Sequence, residues 1–119
     1  METEVYQSKD PRKIQRHVNK ITLEGVVLTE PKIKPLSSGT KSVVFKICSY
    51  ETFLTRGKQN YHTNEFIVEA LGSTADRIYR QVRKGGRYMF DGYLRSDKYE
   101  KGGKKGQRIR IRIFHADRF

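Results

Sequence analysis

The hydrophobic period of this chain switches once and then switches back, and no other feature narrows the folds open to it so far. Ahead of the switch, Ile21 and Leu23 alternate with Thr22 and Glu24 before Gly25, Val26, Val27 and Leu28. That alternation predicts a strand with one buried face, and Gly25 inside it predicts a bulge or sharp bend. Pro31, Pro35, Ser37, Ser38 and Gly39 carry breaker chemistry and read as a loop. A second strand is expected over residues 42–53. The polar stretch 55–64, with Gly57, reads as a hairpin connection, and a third strand follows with Phe66, Val68 and Ala70 on one face.

The period then lengthens. Ala75, Ile78, Tyr79 and Val82 stand at i, i+3, i+4 and i+7, one face of a helix. Ser73 or Thr74 is suited to cap its start. Arg80, Arg83 and Lys84 suit the negative end of its dipole, and Gly85-Gly86 stops it. Period two returns in a fourth strand over residues 87–95, with Gly92 as another bend. Residues 96–107 are glycine- and lysine-rich and read as a hairpin loop, and residues 108–114 as a fifth strand. Three strands, a helix and two strands is the order of an all-β OB-fold, a five-stranded Greek-key barrel with one α-helix between strands three and four.

Size and charge bound the rest. A chain of 119 residues with 35% hydrophobic content closes one small core. The expected organisation is an amino-terminal arm over 1–18, the barrel over 19–116, and a short end over 117–119 without an acidic tail. Lysine and arginine total 25 against 13 acidic residues, a formal charge of +12. Solubility alone is served by about 2 to 8, so the excess points to a polyanionic partner, nucleic acid first and an anionic membrane surface second. No apolar run approaches the roughly 20 residues that span a bilayer, and Met-Glu-Thr-Glu does not open a secretory signal. The single cysteine, Cys48, lies in an apolar stretch and reads as a small core residue. A reducing, cytoplasmic location is the expectation.

The sharpest local signal is the last strand, where Arg108, Arg110 and Arg112 alternate with Ile109, Ile111 and Ile113. The isoleucines are expected in the core and the arginines in a row outside. Such a row is either a solvated face or a contact, and the mutual repulsion of three like charges favours a bound phosphate chain. The preceding loop carries Lys98, Tyr99, Lys101, Lys104 and Lys105 among glycines. It is either a solubilising tip or a place where a base stacks on Tyr99 while lysines meet phosphates. Tyr50, Phe53, Tyr61 and Tyr93 fall near loops or on outer faces, and Lys46 interrupts the second strand. Single strands suit an aromatic and basic surface because their bases are free to stack. Zinc-finger spacing and basic-zipper heptads, which serve duplex readers, are absent from the sequence.

Catalysis, metals and cofactors find no sequence support. His17, His62 and His115 lack metal-ligand spacing, and no phosphate-cradling glycine loop occurs. A small nuclease would need converging carboxylates, for which Glu65, Glu69 and Asp91 are the candidates.

These pieces together resemble the bacterial single-stranded-DNA-binding (SSB) family. The likeness starts at Asn19-Lys20-Ile21-Thr22-Leu23-Glu24-Gly25 and continues through Glu30-Pro31, Ser38-Gly39 and Phe45-Lys46-Ile47-Cys48-Ser49. The segment 72–85 closes on Val82-Arg83-Lys84-Gly85 and is similar to the family's helix. Phe90-Asp91-Gly92-Tyr93-Leu94-Arg95 and Lys98-Tyr99 complete the match, which covers residues 19–114. The resemblance implies binding of single-stranded DNA without sequence preference. It implies homo-oligomers, dimers or tetramers, paired through the first strand, and partners among replication or recombination proteins. By position, Phe53 and Tyr99 stand where stacking tryptophans are usual, and Lys20, Lys84, Arg95 and Lys98 where DNA-contacting cations are usual. The chain departs from the family in having no tryptophan, in placing Glu65 at a third stacking position, and in ending at Phe119 without the family's flexible acidic tip. The missing tip together with the extra amino-terminal arm suggests a short phage or mobile-element member. The competing expectations are a primosomal or RNA-binding OB module and, further off, the small nuclease. A membrane role is not expected, since the helix carries Arg77, Arg80 and Arg83 without a broad apolar face.

Overall fold

The computed structural model describes residues 17–119. The arm expected over 1–18 lies almost wholly outside the described residues. The chain runs β1 (Ile21–Val27), β2 (Lys32–Pro35), β3 (Lys41–Thr55), β4 (Lys58–Leu71), α1 (Gly72–Gln81), β5 (Arg87–Lys101) and β6 (Lys104–Arg118). The sheet order is β1-β5-β6-β4-β3-β2, and β1 pairs again with β3. Those pairings close β1, β5, β6, β4 and β3 into a five-stranded barrel. Its parallel β4–β6 step, where Val68 lies beside Ile111, is where the OB-fold differs from a simple meander. The expected fold class is therefore the observed one, with α1 inserted between the third and fourth barrel strands.

Alternation drives the closure. Val43, Phe45 and Ile47 of β3, Val68 and Ala70 of β4, Tyr88 and Phe90 of β5, and Ile111 and Ile113 of β6 turn inward and are buried. Ala75, Ile78 and Val82 plug one end from α1 and the turn after it. Tyr79, expected on that same helical face, is instead largely exposed. Four positions spaced i, i+3, i+4 and i+7 span more of the helix than this small barrel end covers.

Two glycines are there because backbones meet. A Cβ at Gly25 would stand 3.1 Å from Ile47 Cδ1 and 3.3 Å from the Cys48 carbonyl, where β1 crosses from β5 to β3. A Cβ at Gly92 would stand 2.8 Å from Ile113 Cα, and the β5–β6 register shifts between Asp91 and Gly92. Both bends expected from the sequence fall where the barrel turns its corners. Tyr88 holds the plug. Its hydroxyl donates to the Gln81 carbonyl at 3.2 Å and accepts from the Arg83 N–H at 2.9 Å.

Three local expectations are corrected. The loop after β1 contains a strand, because Lys32-Ile33-Lys34 pairs with Val44, Val43 and Ser42. The helix starts at Gly72, and no side chain caps it. Most consequentially, the stretches 55–64 and 96–107 are not loops. β3–β4, and β5–β6 from Gly92 onward, pair without interruption to two-residue turns at Arg56-Gly57 and Gly102-Gly103. All four turn residues have positive φ (51°, 78°, 59° and 79°), the backbone that matches the right-handed twist of a two-residue hairpin. The result is two β-ribbon arms projecting from the barrel. The radius of gyration is 17.8 Å, against about 13 Å for a compact chain of this size.

Candidate nucleic-acid interface

Register decides which side chains share a surface. On the β5–β6 arm, Tyr93 lies opposite Arg112, Arg95 opposite Arg110, Asp97 opposite Arg108, Tyr99 opposite Gly106 and Lys101 opposite Lys104. Cross-strand partners point to the same side. Tyr93, Arg95, Tyr99, Lys101, Lys104, Arg108, Arg110 and Arg112 therefore share one face. Lys98 and Lys105, at the alternate positions, face the other way.

Tyr99 is seated rather than loose. A Cβ at Gly106 would lie 2.5 Å from its Cζ, so the ring lies over the glycine. The Arg108 guanidinium sits 5.2 Å from its centroid. The ring remains about 44% exposed. A flat aromatic with a cation over it, on an open strand, gives a base a surface to stack on and a phosphate a counter-charge.

The β3–β4 arm splits its aromatics. Phe53 pairs with Asn60, and Thr52 with Tyr61, so Phe53 and Tyr61 lie on opposite faces. Tyr50 and Leu54 share Tyr61's face, and all three are well exposed. A single strand lying on one face reaches Tyr61 or Phe53, not both.

The three arginines share one face, as the alternation predicts, but the row carries its own counter-charge. Arg108 is outward, but Arg110 and Arg112 both turn onto Glu69, which β4 brings beside Arg112. Arg110 Nη1 donates to Glu69 Oε1 at 2.9 Å, and Arg112 donates from Nε and Nη2 to Oε2 at 2.9 and 2.6 Å. The repulsion that argued for a bound phosphate is relieved from within the barrel. Burial pushes the Glu69 carboxyl up, but the hydrogen bonds from Arg110 and Arg112 and their positive charges outweigh it and hold the carboxyl below its ordinary value. Arg112 is raised in turn. Burial opposes its charge, while Glu69 and then Tyr93 favour it by more. Ile109, expected in the core, is 63% exposed because it lies beyond the barrel rim, on the arm.

Further along the outer face, a cleft of about 490 Å³ is lined by Lys32, Lys46, Lys84 and Arg110 over Val44 and Ile67. Three expected site residues thus meet at one place although 64 positions separate the first from the last (110 − 46). Lys32 is the cation that sequence reasoning missed. The alternation Lys32-Ile33-Lys34 between two prolines was its signal. Lys46 also pairs with Glu65 at 3.6 Å, and Arg95 with Asp97 at 3.4 Å. Lys20 is exposed just ahead of β1, beside Asn19, whose amide exchanges two hydrogen bonds with the Leu94 main chain. The three carboxylates considered for metal chemistry are separately engaged: Glu65 by Lys46, Glu69 by the two arginines, and Asp91 by the Thr22 hydroxyl at 2.8 Å. Among the described residues no group of three histidine, cysteine or acidic side chains could hold a metal ion.

The chain is thus a closed OB barrel whose cationic and aromatic outer face continues onto two ribbons. The profile of the Single-strand binding protein family matches residues 18–119, and the chain belongs to that family. It is 33% identical over 89 residues to a single-stranded DNA-binding protein of Fusobacterium nucleatum subsp. nucleatum, covering 74% of this chain and 58% of that one. To a single-stranded DNA-binding protein of Aquifex aeolicus it is 30% identical over 95 residues, covering 79% and 65%. The chain thus spans less than two thirds of the length of both relatives. Among solved structures, a Plasmodium falciparum SSB in complex with ssDNA superposes with a TM-score of 0.73 at 27% identity, covering 83% of this chain and 89% of that one. The single-stranded DNA-binding protein of Thermus aquaticus, in a deletion mutant, gives 0.75 at 20% identity, over 86% and 50%, and shows the shared fold.

Proposed function

We propose that this protein binds single-stranded DNA without sequence preference and without catalysing a reaction on it, covering strands exposed in replication or recombination. The observation that carries this reading is the outer face of the β5–β6 arm. There the seated Tyr99 ring, with Arg108 over it, is flanked by Lys101 and Lys104, and the face continues onto the barrel toward the cleft of Lys32, Lys46, Lys84 and Arg110. A duplex hides its base faces, whereas this surface offers rings to bases and cations to a backbone that can bend to meet both. The similarity to an SSB solved in complex with ssDNA supports the same ligand. Lys98 and Lys105, on the opposite face of the arm, and Phe53, on the reverse of the other arm, belong to this reading only if the strand wraps the arms.

The assembly in this reading is a homo-oligomer paired through β1. Ile21–Gly25 pair with β5 on one side, while only Val26 and Val27 pair with β3 on the other. An unpaired strand edge remains there for a second copy.

Fluorescence anisotropy of a labelled dT oligomer, against the matching duplex and an RNA of equivalent sequence, tests the function. Tight binding to the DNA single strand that weakens with salt is expected. Preference for duplex would overturn the reading, and preference for RNA would assign the module to RNA.

A further inference from the structure

The Glu69 triad does more than hold β4 to β6. Arg112 commits the Nε–Nη2 edge of its guanidinium to Glu69 Oε2. Arg110 commits Nη1 to Oε1, and its Nε is buried with no hydrogen-bond partner. A phosphate is gripped by a fork edge of an arginine; on Arg112 the Nε–Nη2 edge is already engaged, and on Arg110 Nη1 is engaged and Nε is buried. The two side chains lie low, 24% and 16% exposed, and two positive charges share one negative. What is left for a ligand is one terminal N–H group on each residue and the plane of the guanidinium, already immobilised and so losing little freedom when something lies on it. Tyr93, cross-strand from Arg112 on the same face, adds a ring. Arg108, two residues along the strand, is in no ion pair among the described residues and remains available to phosphate.

We propose that Arg110, Arg112 and Tyr93 form a platform on which nucleobases stack, rather than a set of phosphate contacts, and that Glu69 is the positioning residue that holds the two guanidiniums in place. This rests on the single-stranded DNA reading above and assigns a part of that surface to the bases. The outer face then has two functions: Arg108, Lys101 and Lys104 hold the backbone near the arm tip, and the triad receives bases on the barrel.

The test compares a dT oligomer with an abasic deoxyribose-phosphate oligomer of equal length, at several salt concentrations, for wild type, Arg112→Lys, Tyr93→Leu and Glu69→Gln. Arg112→Lys keeps the charge and removes the plane. It is expected to weaken dT binding roughly tenfold, the scale of one base stack, and to leave abasic binding and the salt slope unchanged. Tyr93→Leu, which keeps Glu69, Arg110 and Arg112 but removes the tyrosine beside Arg112, is expected to show the same dT-selective loss and serves if the lysine variant does not fold. Glu69→Gln releases the arginines. Its log–log salt slope should steepen by about 0.7 for each further phosphate neutralised, and its preference for dT over the abasic strand should shrink. Equal losses on both oligomers with a shallower slope for an arginine substitution that removes the charge, Arg112→Gln, would overturn the platform in favour of phosphate contact. So would no loss on either oligomer in Arg112→Lys and Tyr93→Leu. A wild type that binds dT and abasic strands equally would overturn the platform, and base stacking on Tyr99 with it, while leaving strand binding itself in place, whereas a wild type that binds neither would overturn the single-stranded DNA reading and the platform with it.

Discussion

At the scale of single residues, Gly106 and Glu69 decide the character of the interface. Gly106 is the seat of Tyr99, and the atoms that a Cβ would meet there are the far end of that ring. Gly106→Ala can therefore be accommodated by swinging the tyrosine away, at little cost to an exposed arm. The expected outcome is a stability within about 0.5 kcal/mol of wild type, together with dT binding weakened by about 1 kcal/mol, the lower end of what one stacked base contributes. Thermal melting and anisotropy on one preparation check both halves. Glu69 makes an acid-side prediction. Its carboxyl sits below the ordinary value of 4.5, because the hydrogen bonds and charges of Arg110 and Arg112 outweigh the upward push of burial. A carboxyl lowered on folding contributes stability that is fully present above its unfolded value and is lost as pH falls through its folded value. The urea midpoints of wild type and Glu69→Gln should therefore stand furthest apart near neutrality and converge below about pH 4. A constant gap down to pH 2 would show that the ion pairs are not what separates them.

At the scale of elements, the two arms behave differently from the barrel that carries them. Beyond the barrel rim both faces of each ribbon meet solvent, and a two-stranded ribbon on its own is marginally stable. The arms are therefore expected to open locally without unfolding the barrel. Gly57 has φ 78° at the tip of the β3–β4 arm. A side chain there meets the left-handed penalty of about 1–2 kcal/mol. Gly57→Ala should raise amide exchange roughly tenfold across residues 50–62, with Phe45, Val68 and Phe90 unchanged. A matching rise at those core amides would mean that arm and barrel unfold as one unit. The same two-sided exposure explains why the arms are hard to see in the sequence. Alternation announces a strand only where one face is buried, and residues 55–64 and 96–107 have no buried face to announce.

At the scale of the whole molecule, the formal charge of +12 is distributed unevenly. Glu69 neutralises part of the outer barrel face, Glu65 pairs with Lys46, and Asp97 with Arg95. No such partner is found among the described residues for Lys101, Lys104 and Arg108. These three should therefore carry a larger share of the salt dependence than their number among 25 basic residues suggests. Replacing all three with glutamine is expected to make the log–log salt slope shallower by up to about 2, at roughly 0.7 for each phosphate of the single strand that is no longer neutralised. Replacing Lys98 and Lys105 should change it little if the DNA keeps to the Tyr99 face. A slope that falls equally in both variants would indicate a strand wrapped around the arm.

The sequence by itself determined the fold class, the order of the barrel strands with their helix, the bends at Gly25 and Gly92, and the family likeness. Each rests on a local signal: a buried face with period two, a helical face with period 3.6, or a glycine where backbones cross. The burial of Phe45, Phe90 and Ile111 was legible for the same reason. What only the tertiary structure decided is which charges remain free and which rings share a side. The parallel β4–β6 step sets Glu69 beside Arg112, and no spacing along the chain encodes that meeting. The two-residue turns fix the register that parts Phe53 from Tyr61 and sets Gly106 opposite Tyr99. Charge pairing and facing depend on neighbours across the sheet, and those neighbours are chosen by barrel closure.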